Sequence, residues 1–130
     1  MGQTYDKLDD RLIYFISKQK MFFVATAPLS ADGHVNVSPK GYDSFVVISP
    51  DEVAYLDLGG SGIETQAHVQ ENGRLTIMFC AFEGAANILR LYGQGEAVDF
   101  DHQDYERMLA LFPGYDSARA IIRVKLSRVQ

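Results

Sequence analysis

Short apolar runs broken by turn residues recur along almost the whole chain, and that recurrence leaves few folds open. The runs fall at 21–28, 34–39, 44–48, 52–58, 73–82, 86–98 and 118–128, many bounded by Gly, Pro, Asp or Asn. Short connections between successive runs favour an antiparallel sheet, because a parallel pair needs a long crossover. A small closed or partly closed barrel fits this pattern. From Arg74 to Phe82 nearly every position is apolar, which predicts a strand buried on both faces. In 119–127, by contrast, Arg119, Arg123 and Lys125 alternate with Ala120, Ile122, Val124 and Leu126 and predict one wet face.

Helical spacing is confined to three places. Tyr5, Leu8, Leu12, Phe15 and Ile16 share one face and predict a first helix near 5–19. Ser61 to Asn72 and Asp101 to Phe112 read as short helices, the second with Tyr105, Met108, Leu109 and Phe112 facing a core. The expected fold is therefore mainly β (α+β), six to seven antiparallel strands with short flanking helices. At 130 residues it fits one domain spanning 1–130, with no repeat, linker or low-complexity tract.

Charge and cysteine content narrow the function classes. A formal net charge of −5 argues against a nucleic-acid binder that works by neutralising phosphates. Cys80 is the only cysteine, so no internal disulfide is possible and a reducing compartment, the cytoplasm, is expected. The chain shows no signal-peptide pattern, and no apolar run approaches the roughly 20 residues that span a bilayer. A protein without membrane partners is expected. His34, His68 and His102 are scattered without ligand spacing, so no metal site is indicated. Glu64 and His68 stand four apart, the spacing of a surface pair on one helix face.

Two segments carry the chemistry. Gly33-His34-Val35-Asn36-Val37-Ser38-Pro39-Lys40-Gly41 runs from a turn into a strand that Pro39 must end or leave at an edge, because proline cannot donate to a ladder. Ser38, Lys40 and nearby backbone groups are thereby able to face a ligand. Asp57-Leu58-Gly59-Gly60-Ser61-Gly62-Ile63-Glu64-Thr65 passes from a strand through glycines into a helix. Glycine lets backbone approach an anion closely, and the free N–H groups of a helix's first turn complement a phosphate. Two readings of this loop are open. Ser61 and Glu64 also stand at capping-box spacing, which satisfies helix-end N–H groups with no ligand. Arg74 and Arg90, amid apolar neighbours, each need a partner: a bound anion shared with Lys40, or an internal carboxylate.

Taken in order, Phe22-Phe23-Val24-Ala25-Thr26-Ala27-Pro28, the Gly33 to Gly41 segment, Val53-Ala54-Tyr55-Leu56-Asp57 and the Gly59 to Thr65 loop resemble the pyridoxamine 5′-phosphate oxidase-like FMN-binding proteins. Glu71-Asn72-Gly73-Arg74-Leu75-Thr76-Ile77-Met78-Phe79 and Ile88-Leu89-Arg90-Leu91-Tyr92-Gly93 extend the resemblance, which runs from about Met21 to Ala97, with Ala120 to Val129 in keeping. It implies a split β-barrel that forms a homodimer, with FMN in a groove at the subunit interface. By position, Val37, Ser38, Pro39, Lys40 and Gly41 correspond to the strand beside the isoalloxazine and phosphate. Asp57, Leu58, Ser61, Gly62 and Thr65 correspond to the strand end and loop that hold the ribityl phosphate. Asn87 and Arg90 would approach from a neighbouring strand, that of the partner subunit. These roles are implied by the resemblance alone.

The sequence also departs from the oxidase that names the family. The comparable loop there is richer in cations, whereas here it reads Gly62-Ile63-Glu64-Thr65. The arginine- and histidine-bearing terminal segment that grips pyridoxal phosphate is not found before Gln130, so vitamin B6 oxidation is not the expected activity. Relatives with the Ser-Pro-Lys-Gly version run on past this point, which leaves a short form and a piece of a longer chain both open. The expected function is an FMN-dependent oxidoreductase acting on an unidentified small molecule. The alternative is a non-catalytic binding or storage protein for flavin, deazaflavin or haem, with His34 or His68 as the haem ligand.

Overall fold

In the computed structural model, which describes residues 3–41, 43–59 and 62–130, the chain forms ten elements. They are α1 (Asp10–Ser17), β1 (Met21–Thr26), β2 (Asn36–Gly41), β3 (Phe45–Ser49), β4 (Glu52–Asp57), α2 (Ile63–Asn72), β5 (Arg74–Cys80), β6 (Ile88–Asp99), α3 (Tyr105–Leu109) and β7 (Ala120–Val129). The strands join in one antiparallel sheet of order β2-β1-β5-β6-β7-β4-β3. The expected mainly β fold is observed: a curled half-barrel with three short helices, consistent with a split barrel.

Curling brings the two ends of the sheet together. Phe45, on the β3 edge, packs edge-on against Phe22 of β1 at 5.2 Å and against Phe79 of β5 at 5.0 Å between ring centroids. Tyr55 of β4 lies edge-on to Phe22 at 5.6 Å. Strand alternation sends Val24, Ile77, Leu91, Ile122 and Val124 to the same interior, where α1 adds Leu12 and Ile16. Outside the barrel a second cluster, Ala54, Leu56, Val98 and Ile121, is covered by Tyr105, Met108 and Leu109 of α3 and by Phe112.

Several boundaries differ from the sequence reading for local reasons. The first helix starts at Asp10 because the Asp9 carboxylate accepts from the Leu12 N–H at 2.8 Å and caps it there. Tyr5 instead joins the sheet, exchanging backbone hydrogen bonds with Val129 at 2.7 and 2.8 Å. The expectation that 74–82 is buried on both faces is corrected. Leu75, Ile77 and Phe79 are buried, but Thr76, Met78 and Cys80 are only half-buried, because they lie on the sheet's outer face. The helix expected over 101–112 shrinks to Tyr105–Leu109, although Phe112 keeps its core position.

Candidate functional site

The corner between β2 and β3 brings the two chemistry-bearing segments together. Ser44 locks the corner, donating from Oγ to the Gly41 carbonyl at 2.6 Å and accepting from the Leu56 N–H at its own carbonyl at 2.9 Å. The β3–β4 hairpin then returns the chain to Asp57, beside the end of β2, and α2 begins five residues after Leu58 at Ile63. Gly62 is the helix N-cap and is buried. A Cβ added there would lie 3.0 Å from Arg119 Nη2, 3.1 Å from Lys40 Nζ and 3.2 Å from Asp57 Oδ1. A side chain here would press on all three charged groups, and glycine avoids that.

Asp57 is held on all sides. Its carboxylate, 2 % exposed, accepts from Arg119 Nε at 3.0 Å and Nη2 at 2.9 Å, and from the Gly59 N–H at 3.1 Å. The Arg119 backbone N–H also donates to the Asp57 carbonyl at 2.8 Å. Such a bidentate pair supplies the partner that a buried carboxylate requires. Two cations and one carboxylate therefore meet at the start of α2, with one net positive charge. The first-turn N–H groups of a helix have no intrahelical acceptor and carry the positive end of its dipole. The donor set fits a phosphate-bearing ligand. Glu64, in the same turn, is exposed to water, which screens its charge.

A polar seam ties α2 to the β1–β2 hairpin. Asn36 Nδ2 donates to Thr65 Oγ1 at 2.9 Å and approaches Ser38 Oγ at 3.4 Å, while Thr26 Oγ1 and His68 Nδ1 are 2.9 Å apart. Asn72 Nδ2 donates to the Ala27 carbonyl at 2.8 Å and the Leu29 N–H to Glu71 Oε1 at 2.7 Å. Ser38 and Thr65, both buried, thus brace the helix whose start forms the cradle.

Not all the sequence-predicted residues meet. Lys40, Asp57 and Gly62 share the cradle, and Ser38 and Thr65 adjoin it through the seam. Gly41 sits at the corner and Leu58 is exposed beside the loop. Ser61, and with it the capping box it would form with Glu64, lies outside the described residues; the N-cap of α2 is Gly62. Val37 and Pro39 pair with Ala25 and Phe23, on the face opposite Ser38 and Lys40. That outer row continues from Phe23 to Met78 and from Met78 to Arg90.

A single anion gripped by Lys40, Arg74 and Arg90 of one chain is therefore ruled out. Arg90 is three strand spacings, about 14 Å, from β2 and on the other face. It is half-buried and makes no ion pair with a described residue, and Arg74 is exposed with Nη2 3.4 Å from the Pro28 carbonyl. Asn87 and Arg90 line a separate shallow depression with Gln130. His68 bonds to Thr26 instead of pairing with Glu64.

Arg119 is the site residue the sequence reading did not assign, having placed it only on the wet face of the last strand. Its signal was indirect: Asp57 closes an apolar strand, and a carboxylate buried there demands a cation. Which cation is decided by the pairing of β4 with β7, which sets Asp57 opposite Ala120.

Known proteins fall into line with this architecture. The family model described as Pyridoxamine 5'-phosphate oxidase matches residues 8–130. The Pyridoxamine 5'-phosphate oxidase family protein ustO of Aspergillus flavus is 41% identical over 131 residues, which cover 97% of this chain and 52% of that protein. This chain thus spans about half the length of that relative. Among solved structures, HupZ of Group A Streptococcus is similar with a TM-score of 0.75 and 21% identity, covering 94% of this chain and 91% of that one. An FMN-binding protein from Syntrophomonas wolfei gives a TM-score of 0.67 and 13% identity, over 88% and 78% of the two chains. HutZ, the haem storage protein of Vibrio cholerae, gives 0.58 and 20%, over 93% and 89%. At these identities the structures speak for the fold alone. With the family match over nearly all of the described sheet, the chain belongs to the pyridoxamine 5′-phosphate oxidase family.

Proposed function

We propose that this chain is an FMN-binding oxidoreductase subunit, acting on a small molecule as a homodimer whose cofactor groove lies between the subunits. The observation that carries this reading is the Gly62 cradle, where Lys40, the Arg119–Asp57 pair and the first turn of α2 converge on a space that a Cβ would fill. Lys40 and the α2 N–H groups hold the ribityl phosphate. Beside them β2 is the edge strand of the described sheet, so its outward backbone side faces away from the ladder and is placed to bond the ring system. Bound FMN supplies hydride and electron transfer, and the protein supplies orientation and electrostatics. An FMN-binding protein from Syntrophomonas wolfei shares the fold, which supports the same assignment.

The partner subunit explains the residues that one chain leaves apart. Asn87 and Arg90 lie on or near an outer face that also exposes Val37 and Ile88, 62% and 54% accessible, and holds a groove of about 380 Å³ along Ala25, Val35, Thr76 and Tyr92. In the proposed dimer this face is covered, and Asn87 and Arg90 of the partner subunit reach the flavin.

The competing reading is a binding or storage protein without turnover, which the shared fold of a haem storage protein favours. His34 is exposed and His68 is half-buried against Thr26, so these are its axial ligands. One preparation separates the two. Purified protein, reconstituted with FMN and desalted, is expected to retain one flavin per subunit and to show a flavin spectrum, and to reoxidise a reduced nicotinamide in the presence of a suitable acceptor. Retained flavin without turnover supports storage. A haem spectrum lost in a His34→Ala/His68→Ala variant, with no uptake of FMN, overturns the flavin assignment.

A further inference from the structure

We infer that Arg119 is a positioning residue of the phosphate site: it acts through Asp57, neutralising a buried carboxylate that would otherwise repel the phosphate. The inference rests on the FMN reading above and extends it to a residue outside the two motif segments. Asp57 Oδ1 is only 3.2 Å from the position of a Gly62 Cβ, so an uncompensated carboxylate would stand directly beside any anion in the cradle. Burial at 2 % exposure leaves water unable to screen it. Arg119 removes that charge with two hydrogen bonds, one to each carboxylate oxygen, at 3.0 and 2.9 Å.

The geometry also fixes where the carboxylate points. Oδ1, which borders the cradle, takes the Gly59 N–H as well as Arg119 Nη2, and Oδ2 takes Nε, so the group cannot rotate without giving up a bond. Arg119 is itself anchored, since its own N–H donates to the Asp57 carbonyl. Lysine offers a point charge in place of this planar fork and would neutralise the carboxylate without holding both oxygens.

The test titrates FMN and riboflavin, which lacks the phosphate, into wild type, Arg119→Ala, Arg119→Lys and the double variant Arg119→Ala/Asp57→Asn. Arg119→Ala is expected to weaken FMN at least about tenfold while riboflavin changes by less than about twofold, as for a local charge acting on the phosphate. Arg119→Lys should fall between. Removing the carboxylate in the double variant should restore FMN affinity to within about threefold of wild type, a rescue that a purely structural role would not give. If Arg119→Ala does not fold, the double variant carries the test, because it contains no unpaired buried charge. Unchanged FMN affinity in Arg119→Ala, an equal loss for FMN and riboflavin, or a double variant that selectively loses FMN would each overturn the inference; the last would make Arg119 a direct phosphate ligand. Wild type that binds neither compound would overturn the flavin reading itself, and the inference with it.

Discussion

A side chain at Gly62 would crowd three charged groups, which lie 3.0, 3.1 and 3.2 Å from the position of its Cβ. Lys40 Nζ lies 3.1 Å from the position of a Gly62 Cβ, and Lys40→Ala is expected to weaken FMN by about 1 to 3 kcal/mol, the worth of a charge-assisted hydrogen bond. Fluorescence titration measures it, with circular dichroism to show that the fold is kept; equal affinities would remove Lys40 from the site. Tyr55 supplies a different residue-scale prediction. Its hydroxyl is buried with no hydrogen-bond partner among the described residues, and burial, with Asp57 nearby, pushes the phenol well above its ordinary pKa. Tyr55→Phe should therefore leave stability unchanged or raise it by up to about 1 kcal/mol, since it deletes an unsatisfied polar group and keeps the ring contact with Phe22. A urea melt that shows a loss above that size would reveal a partner for the hydroxyl. At this scale Lys40, Asp57, Gly62 and Thr65 were singled out in the sequence as charged, glycine and hydroxyl residues at a strand end and a helix start, and the fold brings them near one another. Arg119 was not, because its role depends on a strand pairing across 62 residues of sequence.

Elements were the most legible level. Every strand expected from the apolar runs is present within a few residues, and their antiparallel pairing follows from short connections. What periodicity could not supply was the environment of each face: β5 reads as apolar at nearly every position, yet its outer side is only half-buried in one chain. The polar bracing of α3 was equally hidden. Arg123 of β7 bonds Glu96 of β6 through Nε at 2.8 Å and also through Nη2, and reaches Asp104 at 3.1 Å. The Arg123 guanidinium beside Glu96 holds its carboxyl below the ordinary value, and hydrogen bonds from Arg107 and then Arg123 do the same for Asp104, each against a smaller desolvation. Groups with lowered folded-state values contribute stability that is complete above the ordinary carboxylate range and is lost as pH falls through their lowered values. Thermal melts across acid pH should therefore show a declining limb in wild type that is shallower in Arg123→Met and flattened by high salt, because these carboxyls are solvent-accessible. Identical limbs in the two proteins would remove the network from the account.

Across the whole molecule, one sheet does two jobs. Its inner face closes around the Phe22, Phe45, Tyr55 and Phe79 cluster, which ties the β3 edge to β1 and β5 and so fixes the corner that carries the cradle. Its outer face carries Val37, Pro39 and Arg90, residues that the family resemblance assigned to the cofactor but that one chain sets on the face opposite Lys40. In the proposed homodimer the partner subunit bridges this division, and such a partition between faces is invisible to a linear reading, where Pro39 and Lys40 are simply neighbours. In the proposed complex the phosphate of FMN sits in the Gly62 cradle. A crystal structure of the protein grown with FMN tests it most directly. The predicted result is the phosphate within hydrogen-bond reach of Lys40 Nζ and the first-turn N–H groups of α2, with Asn87 or Arg90 of the partner subunit against the flavin. Flavin bound with its phosphate elsewhere, leaving the Lys40 and Gly62 cradle empty, would contradict it.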